Sequence, residues 1–226
     1  MKEGASAAVN GGFFNLSDGV SASYVVLDGK EVGNPRTNQA LTANPRLAPF
    51  LETIFNRSEV RFLLDQNGKP ICQIASHTAP VARGWKLLSS LQSGPRLLPQ
   101  CTDREEAFLR READGKDADS IGAKKEAART AFGITADGYA MLLSVSGNGQ
   151  ENGSTGLTLA ALADLLRNLG CSQAINLDGG ASTTMFVRLS PVNCDQGLTP
   201  PPGSAVCARS PETRVKSILL IQLAAK

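Results

Sequence analysis

Three Asx-Gly dipeptides, Asp28-Gly29, Asn67-Gly68 and Asp137-Gly138, each stand between two runs in which apolar residues alternate with others. Nothing else in the chain constrains its fold as much. Such dipeptides reach the positive φ values of a two-residue hairpin turn, and alternation with a period of two marks a half-buried strand. "SYVVLDGKEV", "VRFLLDQNGKPICQI" and "ARTAFGITADGYAMLLSVS" therefore read as hairpins. "ASAAVN" and "VKSILLIQL" read as strands near the two ends, and "WKLLSSLQSGPRLLP" as an apolar run turned at Gln92-Ser93-Gly94-Pro95. One helix is strongly marked. Thr158 can cap it, Leu159, Leu162, Leu166 and Leu169 recur at spacings of three and four, and Gly170 stops it. Residues 33–49 lack a period and read as a loop. Residues 103–128 hold the densest charge, and "DREEAFLRREA" leads with acids and trails with bases, which predicts a solvated surface helix. Many hairpins and few helices predict the α+β class: one domain over 1–226, with a mixed, largely antiparallel sheet or sheets flanked by a few helices.

Composition excludes several functions. The 226 residues suffice for a substantial core, and 23 basic against 21 acidic side chains leave a net charge of +2, which gives no general attraction to nucleic acid. No apolar run reaches the roughly 20 residues of a membrane span, and Met1 to Val9 lacks the apolar core of a secretory signal. The five cysteines show no C-x-x-C spacing, which argues against structural zinc. Cys194 and Cys207 bracket "CDQGLTPPPGSAVC", a loop that a disulfide could close. If they pair, the native protein is exported and its signal removed, so the expected location is periplasmic or extracellular. His77 is the lone histidine, and "IASHTAP" has nothing of a nucleophile elbow, so it reads as a surface or capping residue. There is no G-x-x-x-x-G-K-[ST] and no H-E-x-x-H, and "DGKDADS" lacks the order of a calcium loop. No metal and no cofactor is expected.

Three stretches place glycine or another small residue beside a polar group at a strand end: Asn10-Gly11-Gly12, Gln92-Ser93-Gly94-Pro95 and Asp178-Gly179-Gly180. Glycine lets backbone amides approach a ligand, and successive amides form anion-binding concavities; the plain alternative is a tight turn. Asp178 closes an apolar run, and a buried carboxylate needs donors, which Ser182, Thr183 and the glycine amides can supply. It is either an Asx-type turn or a catalytic carboxylate. Arg129 opens "RTAFG" beside Thr130, where its planar fork suits phosphate or carboxylate, or an exposed ion pair with Glu126.

Taken in order, "NGGFFN", "LQSGPRLL", "RTAFGIT", "GSTGLTLAALADLLRNLG" and "INLDGGASTTMF" resemble the phosphodiester glycosidase family, over nearly the whole chain from about Ala5 to about Leu220. The resemblance implies hydrolysis of a glycosidic bond whose leaving group is a sugar-linked phosphate, with a phosphorylated glycan as partner. It also implies that five groups of residues meet: Asn10, Gly11 and Gly12; Ser93, Gly94 and Pro95; Arg129 and Thr130; Asp178, Gly179 and Gly180; Ser182 and Thr183. In this reading Asp178 acts at the anomeric carbon as nucleophile or as base for water, while Arg129 and glycine amides stabilise the departing phosphate and the other residues bind substrate. A phosphodiester leaves readily, so one carboxylate can serve where ordinary glycosides need two. Glu151 is the nearest second carboxylate, or else a solvated surface residue. Two departures stand out. Ser146-Gly147-Asn148 replaces the family's Asp-Gly-Arg, removing a cation, and only nine residues precede the N-G-G turn, where the family has further strands. Two other classes remain open: a glycan- or cell-wall-binding module, and a phosphodiesterase with Asp178 as metal ligand.

Overall fold

A computed structural model describes residues 5–147, 155–187, 205–208, 215 and 217–222. In chain order the strands begin with β1 (Ala5–Asn10), β2 (Val25–Leu27), β3 (Lys30–Gly33), β4 (Ser58–Leu64) and β5 (Pro70–Ser76). Next come β6 (Lys86–Gln92), β7 (Arg96–Leu98), β8 (Leu109–Arg111), β9 (Asp117–Asp119), β10 (Arg129–Thr135) and β11 (Ala140–Val145). The last are β12 (Cys171–Asn176), β13 (Thr184–Val187), β14 (Ala205–Ala208) and β15 (Ile218–Gln222). The α-helices are α1 (Gln39–Thr42), α2 (Leu51–Phe55) and α3 (Leu159–Asn168).

All described pairings are antiparallel. Three main sheets run β14-β13-β1-β15, β11-β10-β12-β7 and β3-β2-β6-β4-β5, and β8-β9 form a small ribbon. This is the α+β class the sequence predicts. The hairpins at Gly29, Gly68 and Gly138 form with positive φ at each glycine.

One core is shared by all three large sheets. Val9 and Leu219 from the first, Phe132, Ile134, Ile175 and Leu177 from or just beyond the strands of the second, and Val60 and Ile74 from the third are buried together. On the other face of the second sheet, Leu159, Leu162 and Leu166 of α3 pack over Leu97, Leu98, Ala131 and Ala174. The cap is as expected: Thr158 Oγ1 accepts from the Ala161 amide. Leu169 departs from the pattern, because the helix has ended and its side chain is exposed.

Two segments differ from expectation. Residues 33–49 contain α1 and short 3-10 turns. Residues 103–128 form no helix; they hold tight turns and the β8-β9 ribbon. Tertiary burial overrides the charge pattern here. Glu106, Ala107, Phe108 and Leu109 are buried, and the Asp103 carbonyl accepts from the amides of both Phe108 and Leu109, a geometry no α-helix has. The "DGKDADS" stretch contributes β9, where the Asp119 carboxylate accepts from the Ala123 amide. The proposed Cys194–Cys207 pair lies outside the residues whose side chains are described; Cys72, Cys101 and Cys171 are free thiols.

Register brings corresponding strand ends to one pole. β1 and β12 end there, while β10, β7, β13 and β4 begin there. Hydrogen bonds across the gaps fix the arrangement: Asp178 amide to Gly11 carbonyl at 3.0 Å, Leu177 amide to Thr130 carbonyl at 2.8 Å, Gly94 amide to Asn176 carbonyl at 2.9 Å and Ser93 amide to Ser58 carbonyl at 3.0 Å. The turns that follow β1, β6 and β12 are thus joined at one pole.

Candidate active site

β12 is buried from Ala174 onward, where both of its faces are covered, and it ends where the Asn176 amide pairs with the Pro95 carbonyl. Asp178 follows two residues later, half-buried at the rim of this pole. Its own carboxylate oxygen accepts from the Gly179 amide at 2.9 Å. Burial pushes the Asp178 carboxyl above its ordinary value, with hydrogen bonds from Ser182 and Gly179 opposing the shift. A carboxylate so placed is reachable and basic, and both roles expected of it, attack and proton acceptance, need those properties.

Asn10 is fully buried and holds this turn in place. Its amide nitrogen donates to the Asp178 carbonyl at 2.5 Å, and its side-chain oxygen accepts from the Thr130 hydroxyl at 2.7 Å and the Thr184 amide at 3.1 Å. Three of the predicted segments are therefore tied by one side chain. The bonds commit it to the protein and leave Asn10 as a positioning group.

The glycine amides are also committed. Those of Gly11 and Gly12 donate to the carbonyl and hydroxyl of Ser217, that of Gly94 to Asn176, that of Gly179 to Asp178 and that of Gly180 to the Ala128 carbonyl. No open amide nest is formed by these five. Gly12 is small for a different reason: a Cβ there would lie 2.6 Å from the Gln92 carbonyl.

Arg129 is 3 % exposed and faces backbone, not the rim. Its Nε donates to the Leu157 carbonyl at 2.9 Å, Nη1 to Ile121 at 3.0 Å, and Nη2 to Gly122 at 2.6 Å and Lys125 at 2.8 Å. Four of the five N–H groups are thereby occupied. Neither a phosphate contact nor an exposed pair with Glu126 describes it; the guanidinium ties the 121–125 loop and Leu157 to the start of β10. Burial lowers its pKa, partly offset by Asp119.

Several residues at this pole carry no sequence signal of their own. Glu106 is buried beneath the Gly94 turn and accepts from the Ser58 amide at 3.1 Å, the Ser58 hydroxyl at 2.8 Å, the Arg96 amide at 3.2 Å and the Thr102 hydroxyl. Beside it Arg57 stacks on Phe108, 3.6 Å from the ring centre, and burial pulls its pKa down to about 9 despite Glu106. Ser93 Oγ, Asn176 Oδ1 and Thr183 Oγ1 are enclosed without a hydrogen-bond partner among the described residues. Such atoms are uncommon in native interiors and concentrate where water or ligand belongs. Of these three, Asn176 is the one the sequence does not single out, although it stands inside the quoted "INLDGG" stretch.

His77 is not a plain surface residue. Its Nδ1 lies 2.8 Å from Glu59, which pairs with buried Arg61 at 2.7 Å, and its ring stacks on Tyr24 at 3.8 Å. Glu151 and Asn148 lie outside the described residues. Among the described residues no group of three or more His, Cys, Asp or Glu side chains gathers to hold a metal, and no helix is long and apolar enough to cross a membrane.

Comparison with known proteins places the chain in a family and matches its fold. The model of the phosphodiester glycosidase family matches residues 3–221. The catalytic domain of zebrafish N-acetylglucosamine-1-phosphodiester alpha-N-acetylglucosaminidase, in a structure auto-inhibited by its pro-peptide, superposes with a TM-score of 0.60 at 21% identity, covering 97% of this chain and 64% of its own. The chain thus spans somewhat less than two thirds of that protein. A hypothetical protein from Synechocystis gives a TM-score of 0.50 at 15% identity, covering 81% of this chain and 47% of its own. At these identities the likeness is one of fold. No curated protein sequence matches the chain.

Proposed function

The chain belongs to the phosphodiester glycosidase family, and we propose that it hydrolyses the glycosidic bond of a sugar-1-phosphodiester in a phosphorylated glycan. Water adds across the bond between the anomeric carbon and the bridging oxygen. The free sugar leaves with a new anomeric hydroxyl, and the phosphate leaves as a monoester of whatever group it carried.

The observation that supports this best is the half-buried Asp178 at the meeting of the three strand-end turns, with its pKa raised by burial. Asp178 acts at the anomeric carbon, either by direct attack or by taking a proton from the attacking water. The Ser182 hydroxyl orients the carboxylate. Asn10 and Thr130 fix the backbone from which it projects. Arg129 serves the reaction through structure: it anchors β10, whose neighbour Ala128 receives the Gly180 amide. The phosphate needs no strong acid, since the singly charged diester departs as a phosphomonoester dianion, a weak base whose conjugate acid has a pKa of about 6.

A panel of sugar-1-phosphodiesters in oxygen-18 water tests the reaction. Label in the released sugar supports it; label in the phosphate means phosphoryl transfer and overturns it. The proposed location is periplasmic or extracellular, and mass spectrometry of the native protein finding Cys194 and Cys207 as a disulfide would support that placement.

A further inference from the structure

Beside the Gly94 turn lies a pocket of about 390 Å³ lined in part by Glu52, Ser58, Arg96, Thr102, Glu105 and Glu106. Its size falls in the range of about 300–1,000 Å³ usual for small-molecule sites. It shares a wall with the candidate active site: a Cβ on Gly94 would lie 2.5 Å from Glu106 Oε2, and Gly94 is bonded to Asn176, two residues before Asp178. We propose that this pocket binds a neutral, hydroxyl-rich sugar unit of the substrate, with Arg96 as its recognition residue. The inference rests on the glycosidase reading above.

The lining decides between ligand classes. Glu106 is saturated by donors from Ser58, Arg96 and Thr102, so it shapes the wall and has little left to offer. Glu52 and Glu105 are exposed at the pocket, and Glu52 pairs with Arg36. Glu52 is paired with Arg36 and Glu106 has Arg57 beside it, so the charges around the pocket are nearly balanced and give phosphate no net attraction. Arg96 is the unsatisfied member. Its backbone is fixed by Thr102 and Glu106, yet its Nε is enclosed and has no hydrogen-bond partner among the described residues. A sugar hydroxyl satisfies both kinds of lining group, accepting from guanidinium with its lone pairs and donating its proton to a carboxylate. An anion can do only the first and a cation only the second.

The test uses the full chain and saturation-transfer NMR with glucose, mannose, galactose and N-acetylglucosamine as probes, and inorganic phosphate as the competing class. At least one sugar is expected to bind. Binding should weaken at least tenfold in Arg96→Ala, which keeps the backbone bonds of residue 96, and in Thr53→Trp, which fills the pocket from α2 while leaving Arg96 in place. Absence of sugar binding to wild type, equal binding by Arg96→Ala, or capture of phosphate through Arg96 would each overturn the proposal. A turnover assay separates the two readings. If sugar binding depends on Arg96 but no sugar-1-phosphodiester is cleaved, the pocket stands without the reaction. If cleavage proceeds with an unchanged KM in Arg96→Ala, the reaction stands and the pocket does not.

Discussion

The side-chain amide of Asn10 donates a 2.5 Å hydrogen bond to the backbone carbonyl of Asp178, across 168 positions of sequence. The same side chain receives Thr130 and Thr184, so one asparagine joins β1, β10, β13 and the turn after β12. Removing it leaves three polar groups without a partner. Asn10→Ala should therefore lower stability by about 1–3 kcal/mol in urea denaturation, with a larger fractional loss of kcat than of substrate affinity. Unchanged stability would mean that the pole is held by something else.

Arg129 gives a prediction that separates two roles. Lysine keeps the charge but cannot reproduce four hydrogen bonds to four carbonyls. Arg129→Lys should lower the melting temperature by an amount equivalent to more than about 2 kcal/mol, with activity falling in step. A variant as stable as wild type but inactive would point instead to contact with the departing phosphate.

Gly94 and Gly138 both have positive φ, at 122° and 84°. Nothing lies within 4 Å of a Cβ at Gly138, whereas one at Gly94 would meet Glu106 at 2.5 Å and Phe108 at 2.9 Å. Gly138→Ala should cost about 1 kcal/mol from backbone strain alone, and Gly94→Ala distinctly more. Chemical denaturation of the two variants side by side measures the difference, and equal costs would contradict the close packing of the turn.

Stability of the Asp178→Asn variant relative to wild type should depend on pH. Because burial raises the folded-state pKa of Asp178, the wild-type protein holds that proton more tightly folded than unfolded. Its contribution is fully present below the ordinary value of 3.8 and is lost as pH rises through the raised folded value. At pH 7 Asp178→Asn should thus melt at or above wild type, and the difference should shrink toward pH 3.8. A variant that melts well below wild type at neutral pH would show that the charge stabilises the turn.

What the sequence shows of this protein is what local chemistry writes. The Asx-Gly hairpins and the Thr158-capped helix declare themselves within a dozen residues, because turn geometry and helical spacing are local properties. Asp178 is visible for a similar reason: an acid that ends an apolar strand is conspicuous. Glu106 is hidden because the sequence around it has the charge order of a surface helix, and only its partners at 58, 96 and 102 reveal it as a buried anchor. Arg129 is visible as a residue but not in its role, since the four carbonyls it binds belong to turns whose paths are set by tertiary packing. His77 likewise lacks any signal until β4 brings Glu59 against it.

Turnover by Asp178→Asn tests the central claim most directly. The measurement is the single-turnover rate for whichever sugar-1-phosphodiester the wild-type protein cleaves, with folding checked by circular dichroism. Loss of a group that acts at the anomeric carbon should slow cleavage on the order of a thousandfold or more. A folded variant that cleaves the substrate within a few-fold of wild type would contradict the account.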